Sequence, residues 1–223
     1  MLVISIFSLI IGVGVFLPVI FWPAGTWHWL QGWLYVAMVG VNFCINFTCL
    51  WRVNRALIKQ RMMLGAGTKR WDVIWAICFG PLFLSIYVIA GFDAMRYGWS
   101  EMSFAWWWLG LAIHVPGALL FTWAMGVNPF FEKTVRIQTE RGHRVIDTGP
   151  YAFVRHPGYV GFVGWGLSVP FFLGSWWALV PAALSIFGLV VRTVLEDLTL
   201  REELAGYEAY TERVRYRLIP GVW

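Results

Sequence analysis

Residues 149–159 read Gly-Pro-Tyr-Ala-Phe-Val-Arg-His-Pro-Gly-Tyr and set an Arg155-His156 pair, with Tyr151 and Tyr159, directly before an uncharged stretch. From Pro157 to Val191 there is no Asp, Glu, Lys or Arg, and charge resumes at Arg192, Glu196 and Asp197. Cationic and acidic groups thus bracket one apolar element at both ends, the arrangement expected if they converge on a polar ligand at a membrane face. Pro157 lacks a backbone donor and its φ suits a first helical turn, so it should open a helix and leave His156 at the cap. Helix N-termini favour anions, which makes Arg155, His156 and Tyr159 candidates to hold a carboxylate or phosphate there. Gly158, Gly161, Gly164 and Gly166 keep one side of that helix slim enough for another backbone or a flat ligand. Taken singly, each feature also has a plainer reading, Arg155 as a cation snorkelling to headgroups and the glycines as helix packing.

Arg192 and Glu196 lie one helical turn apart. An exposed i,i+4 ion pair contributes only about 0.3–0.5 kcal/mol, and Arg before Glu is the poorer orientation, so stability is a weak reason for the pair. The functional alternative is a divided site. Glu196 would meet an ammonium or a ribose hydroxyl, and Arg192 an anionic substrate group at the membrane edge.

The elements that must position these groups are membrane helices. With 59% hydrophobic and 13% charged residues, and 16 tryptophans in 223 residues, the chain has too little polar surface for a soluble globule. Four runs without Asp, Glu, Lys or Arg are long enough to cross a bilayer: 1–51, 73–92, 102–131 and 157–191. The first should hold two crossings, because residues 21–26, Phe-Trp-Pro-Ala-Gly-Thr, break it. The last should be a hairpin of two short or tilted helices turning at Leu173-Gly174-Ser175, with one long span as the alternative. The expected fold class is therefore all-α and polytopic, with about six membrane helices followed by a C-terminal helix over 195–216, where Leu195, Leu198, Leu204 and Tyr207 recur at helical spacing. Residues 1–126 hold four spans and a basic connector; residues 127–223 hold the polar loop, the hairpin and the C-terminal helix.

All of the 17 basic residues except Arg96 fall on one side of this topology, which makes both termini cytoplasmic in a multi-pass protein; a bacterial inner membrane is the expected location. The net charge of +5 then needs no nucleic-acid partner, only anionic headgroups of membrane lipids. Trp22, Trp27, Trp29, Trp33, Trp99, Trp106, Trp107 and Trp108 read as the outer aromatic belt. Cys44, Cys49 and Cys78 form no Cys-x-x-Cys and read as packing residues rather than a disulfide or metal set. The first span lacks a basic leader and a small-residue exit site, and is expected to remain as a helix. His28 reads as an interface residue, and His114 as either lining a tunnel or bonded to a neighbour.

Together, Gln138, the run His143-Arg144-Val145-Ile146-Asp147-Thr148-Gly149-Pro150-Tyr151, the run Arg155-His156-Pro157-Gly158-Tyr159, Arg192-x-x-x-Glu196-Asp197 and Tyr207-x-x-Tyr210 resemble the isoprenylcysteine carboxyl methyltransferase family and its phospholipid-methyltransferase relatives. The resemblance covers about the last 90 residues. It implies that Gln138, His143, Arg144, Val145, Ile146, Tyr151, His156, Pro157, Gly158, Tyr159 and Glu196 bind S-adenosylmethionine. It further implies that Arg192 faces a lipophilic methyl acceptor and that Arg155, Arg192 and Glu196 form the catalytic set. The chain departs from the family in having no Arg or Lys over 104–126, where eukaryotic members carry an acceptor-binding arginine, in the short gap from Gln138 to His143, and in Asp rather than Glu at Asp197.

Methyl transfer from a sulfonium is an in-line displacement that positioning and electrostatics can accelerate without a metal. A carboxylate acceptor needs no base; an amine would need one, with His156 or Glu196 nearest. The absence of Gly-x-Gly-x-x-Gly excludes a soluble Rossmann-type methyltransferase. Two alternatives stay open at the level of sequence: an NADPH-dependent membrane reductase of the sterol-reductase type, with a similar Arg-His-Pro step, and a non-catalytic lipid-binding membrane protein.

Overall fold

The structure is a computed structural model that describes residues 14–61, 65 and 67–223. Residues 1–13, and with them the expected retention of the first span, lie outside the described residues. Every regular element described is helical: α1 (Gly14–Ala24), α2 (Leu30–Val53), α3 (Arg55–Gln60), α4 (Arg70–Gly91), α5 (Trp106–Val127), α6 (Pro157–Leu173), α7 (Leu179–Glu203) and α8 (Tyr207–Arg213). α4 runs on as a π-helix over Phe92–Tyr97 and stops at Gly98, whose φ of 59° is left-handed. Four helices, Leu30–Val53, Arg70–Tyr97, Trp106–Val127 and Leu179–Glu203, are long and apolar enough to cross a membrane. The chain is thus a polytopic all-α membrane protein, and large apolar side chains such as Ile74, Ile77, Leu119, Leu184 and Phe187 cover its outside.

The last apolar run does form a hairpin. α6 ends at Gly174, with φ 71°, and Ser175 N–H closes the turn on the Pro170 carbonyl at 3.0 Å. Its second arm is not short, however. α7 has 25 residues, about 37 Å at 1.5 Å per residue, so its last turns outrun a hydrocarbon core of about 30 Å. Those turns carry Arg192, Glu196 and Asp197, all helix-compatible residues that find partners beyond the apolar layer.

Three further expectations are corrected. The C-terminal segment is not one helix over 195–216, because Gly206, at φ 82°, breaks it between α7 and α8. The break lets Leu204, Tyr207, Tyr210 and Val214 close into a small apolar cluster with Val145, while Leu198, counted in the stripe, is 45% exposed. Trp29 is no belt residue: it is buried in the main core with Phe21, Tyr35, Tyr87 and Phe172, while Trp22, Trp27 and Trp33 remain exposed. Cys44 and Cys78 face outward rather than into packing contacts, and all three thiols are free.

Glycine sets the closest helix contact. A Cβ on Gly161 of α6 would lie 2.5 Å from the Gly117 carbonyl of α5, and one on Gly164 3.3 Å from Gly117 Cα. This approach brings the start of α6 against the end of α5 and the loop that follows it. At the opposite end of the bundle, Arg96 donates to the Trp22 carbonyl, and buried Asp93 accepts from Ser100 and Ser175, joining the turns there. Gly161→Ala should cost about 1–3 kcal/mol, because the atoms it meets are backbone and cannot swing away. Gly80→Ala, with nothing within 4 Å of the new methyl, should be neutral or slightly stabilising. Thermal unfolding in detergent checks both, and equal midpoints would show that this contact does not hold α5 to α6.

Candidate functional site

The Arg155-His156-Pro157 step sits where it does because of the two turns around it. Gly149, with φ 59°, turns the chain against Val127 and Trp123 into a short 3-10 segment, Gly149–Ala152. Tyr151 is buried there, its hydroxyl receiving the Asn128 amide at 3.1 Å. Pro157 then opens α6 with His156 at the cap position. The His156 ring stacks on Tyr159, 5.7 Å between centroids and 3° apart, and the Tyr159 hydroxyl donates to Glu196 on α7.

Arg155 is fully engaged. Its Nε and Nη2 donate to Asp197 at 2.7 and 2.9 Å, and Nη1 donates to the carbonyls of Val214 and Arg215 at 2.8 and 2.7 Å. Asp197, with no exposed surface, also receives the Tyr207 hydroxyl at 3.0 Å and Arg217 Nε at 3.0 Å, and lies 3.3 Å from His156 Nε2. The backbone repeats the link: Arg155 N–H donates to Tyr216 O and His156 N–H to Arg217 O. Removing one partner of such a buried pair costs about 3–5 kcal/mol, since the other is left charged and dry. Arg155 thus holds the C-terminal tail against the start of α6.

The i,i+4 pair between Arg192 and Glu196 does not form. Arg192 turns instead to Asp72 in the first turn of α4, with Nε at 2.8 Å and Nη2 at 3.3 Å, and Nη2 donates again to Lys133 O at 2.9 Å. Asp72 is 1% exposed and also receives the Val135 N–H at 2.7 Å. The Arg192 guanidinium lies over the Trp75 and Tyr159 rings, 4.5 and 5.4 Å from their centroids. One carboxylate therefore fastens α4, α7 and the loop after α5, while Glu196 keeps Tyr159.

That loop is folded by its own side chains. Gln138 is buried, donates Nε2 to Phe130 O at 2.9 Å and accepts from Arg141. Glu132 takes Arg136 at 2.7 and 2.9 Å. His143 Nδ1 accepts the Gln138 N–H at 3.3 Å. Burial first, then the Arg136 and Arg141 charges, push the His143 imidazole down to about 4, so it is neutral at pH 7 and free to accept.

Between this loop, the His156–Tyr159 turn, α7 and α8 lies an open cavity of about 830 Å3, counting its mouth. Its walls include Gln138, His143, Arg144, Val145, Ile146, Tyr151, Arg155, His156, Gly158, Tyr159, Arg192 and Glu196. Of the residues that the family resemblance assigns to donor, acceptor or catalysis, Pro157 alone is not in the lining; it begins the helix. Asn128, Phe130, Phe131, Glu132, Leu200 and Leu204 also line the cavity, and Asp72 stands behind it. A signal for Asp72 did exist, as a lone acid at a membrane edge between Lys69, Arg70 and an apolar span. Phe131 carries none, since its ring matters only because Gly158 has no Cβ, which would lie 2.4 Å from it.

The walls suit a ligand that is flat and apolar on one part and cationic on another. Tyr151, Phe130 and Val145 offer surface for a ring, and Glu196 offers a carboxylate. S-adenosylmethionine, with an adenine, a ribose and an ammonium group, fits that donor set.

Residues 108–202 match the family model described as the isoprenylcysteine carboxyl methyltransferase (ICMT) family. Among solved structures, the fold is similar to that of the eukaryotic intramembrane Ras methyltransferase ICMT, with a TM-score of 0.56 and 16% identity over 94% of this chain and 74% of that one. No curated protein matches the chain.

The neutral His143 gives the loop a pH signature. An unfolded histidine titrates near 6.5, so its contribution to stability is complete above that pH and is lost as pH falls toward about 4. The thermal midpoint of the purified protein should decline over this window, and the decline should be shallower in His143→Gln. Identical slopes would show that the ring is not held neutral.

Proposed function

We propose that this chain, whose residues 108–202 match the isoprenylcysteine carboxyl methyltransferase family model, is a membrane methyltransferase that takes its methyl group from S-adenosylmethionine and delivers it to the carboxylate of a lipophilic, prenylated or lipid-like acceptor. The observation that carries the reading is the cavity itself, which gathers the Gln138, His143–Ile146, Tyr151, His156, Gly158, Tyr159 and Glu196 positions around one space. The family match gives no support to the reductase or the non-catalytic reading.

When bound, S-adenosylmethionine supplies a methyl group on a sulfonium that leaves as a neutral thioether. Glu196, held by Tyr159, attracts the positive part of that ligand. Tyr151 and the His143–Ile146 backbone form the wall for its ring, and the Arg155–Asp197 clamp fixes the turn on which His156 and Tyr159 are carried. Arg192, oriented by Asp72, presents a guanidinium of fixed plane toward an anionic acceptor. A carboxylate there is already a nucleophile, so these side chains need to align and desolvate it rather than remove a proton. We place the loops at 52–70 and 127–156 and the C-terminus on the cytoplasmic side, where the basic residues cluster, so that the soluble donor enters from the cytosol and the acceptor from the bilayer.

Membranes incubated with labelled methyl donor should yield a labelled lipid whose label is released by mild alkali, as a methyl ester requires. Glu196→Gln should weaken donor binding at least tenfold in calorimetry, whereas Arg192→Lys should leave it within about twofold and lower turnover at least tenfold, because lysine lacks the two-pronged geometry. Near wild-type donor affinity and turnover in both variants would remove these residues from the site.

A further inference from the structure

Three asparagines reach from α2 and its end to α5, and the third does more than join two helices. Asn42 Nδ2 lies 3.3 Å from His114 Nε2, and Asn46 Nδ2 donates to Thr122 Oγ1 at 3.0 Å, both pairs between membrane helices. Asn54 stands instead at the break between α2 and α3, with φ −145° and ψ 59°. Its N–H ends α2 on the Leu50 carbonyl at 2.8 Å, and its carbonyl opens α3 by accepting the Leu57 N–H at 3.1 Å. The side chain turns to α5, where Nδ2 donates to the carbonyls of Met125 at 2.9 Å and Asn128 at 3.2 Å. The last carbonyls of a helix lack donors within it. One amide group, with two hydrogens, thus serves both Met125 and the cap residue of α5.

Asn128 carries this contact into the cavity. Its Oδ1 accepts the Phe130 N–H at 2.8 Å, which leaves Nδ2 to donate to the Tyr151 hydroxyl at 3.1 Å. Asn128, Phe130 and Tyr151 all line the cavity, whereas Asn54 does not. Tyr151 is held at its other end as well, because its carbonyl accepts the Tyr210 hydroxyl at 2.7 Å. Residue 54 also lies outside the 108–202 span that matches the family model. A part of the chain beyond the match therefore supports a wall of the site.

We propose that Asn54 is a positioning residue for the methyl donor, which through Asn128 fixes the Tyr151 ring and so sets donor affinity without touching the donor. This rests on the methyltransferase reading above and adds to it a residue from the α2–α3 break. Without the Asn54 amide, the Met125 and Asn128 carbonyls lose a donor and the end of α5 is free to shift. The Asn128 amide then shifts with it, and the Tyr151 hydroxyl loses the bond that orients its ring. Small displacements of a positioning wall are felt directly in binding and turnover.

The test is a double-mutant cycle on S-adenosylmethionine affinity, read by calorimetry on detergent-purified protein. Asn54→Leu keeps nearly the same volume and removes both donors; Tyr151→Phe removes only the hydroxyl. Each should weaken the donor about five- to tenfold, and the double variant should be no weaker than the worse single one, because both break the same chain of bonds. Asn54→Gln, which keeps the amide, should recover affinity to within about threefold of wild type. Asn46→Leu should lower the thermal midpoint, as Asn54→Leu does, yet leave donor affinity within about twofold. Wild-type donor affinity in Asn54→Leu overturns the proposal. So do losses that multiply in the double variant, or an equal loss in Asn46→Leu, since Asn54 would then only stabilise the bundle. If Asn54→Leu does not fold, Asn54→Ser, too short to reach both carbonyls, takes its place in the cycle under the same outcomes. A wild type that does not bind S-adenosylmethionine defeats the methyltransferase reading and this proposal with it, an outcome visible before any variant is made.

Discussion

A carboxylate taken out of water must be surrounded by donors, and Asp197 meets that requirement by drawing three pieces of the chain to α7. Arg155 from the turn before α6, Tyr207 from α8 and Arg217 from the C-terminal tail all end on its two oxygens, with His156 beside them. Because Arg155 also binds the Val214 and Arg215 carbonyls, the tail is fixed in the same stroke. The wall of the cavity formed by α8 and the His156–Tyr159 turn is therefore set by one buried charge. Its neighbour in sequence, Glu196, is then left to face the cavity.

Asp72 plays the matching part on the other side. By taking Arg192, it prevents the i,i+4 pair with Glu196 that spacing alone would favour, and it holds the loop through the Val135 N–H. The two charges one turn apart on α7 thereby acquire different partners and different surroundings. The proposed methyl transfer would use this division, with an acid toward a cationic donor and a cation toward an anionic acceptor. Glycine completes the arrangement. Gly161 and Gly164 let α6 approach α5, and Gly158 lets Phe131 lie against the start of α6.

Much of this was legible in the residues. Pro157 as helix opener, Gly174 as hairpin turn and the apolar spans follow from local rules, and the Gln138 to Glu196 positions do line one space. What local rules could not supply was pairing. Spacing offers Glu196 to Arg192, but the choice of Asp72 depends on α4 lying beside α7, a tertiary fact. Likewise the helix over 195–216 is broken at Gly206 because Tyr207 and Tyr210 reach Asp197 and the Tyr151 carbonyl, contacts that periodicity does not register. Trp29 matches the belt by type and position, yet it is buried because α1 and α2 close over it.

Hydrogen exchange on the detergent-purified wild type and Asp197→Asn addresses the central claim, that this buried carboxylate assembles the cavity proposed to hold the methyl donor. The variant should lose protection together over residues 151–159 and 204–217 while α2, α4 and α5 keep theirs. S-adenosylmethionine should slow exchange over 143–146 and 156–159 in the wild type only. Intact protection of both segments in Asp197→Asn, with slowing by S-adenosylmethionine equal to that of the wild type, would contradict the account.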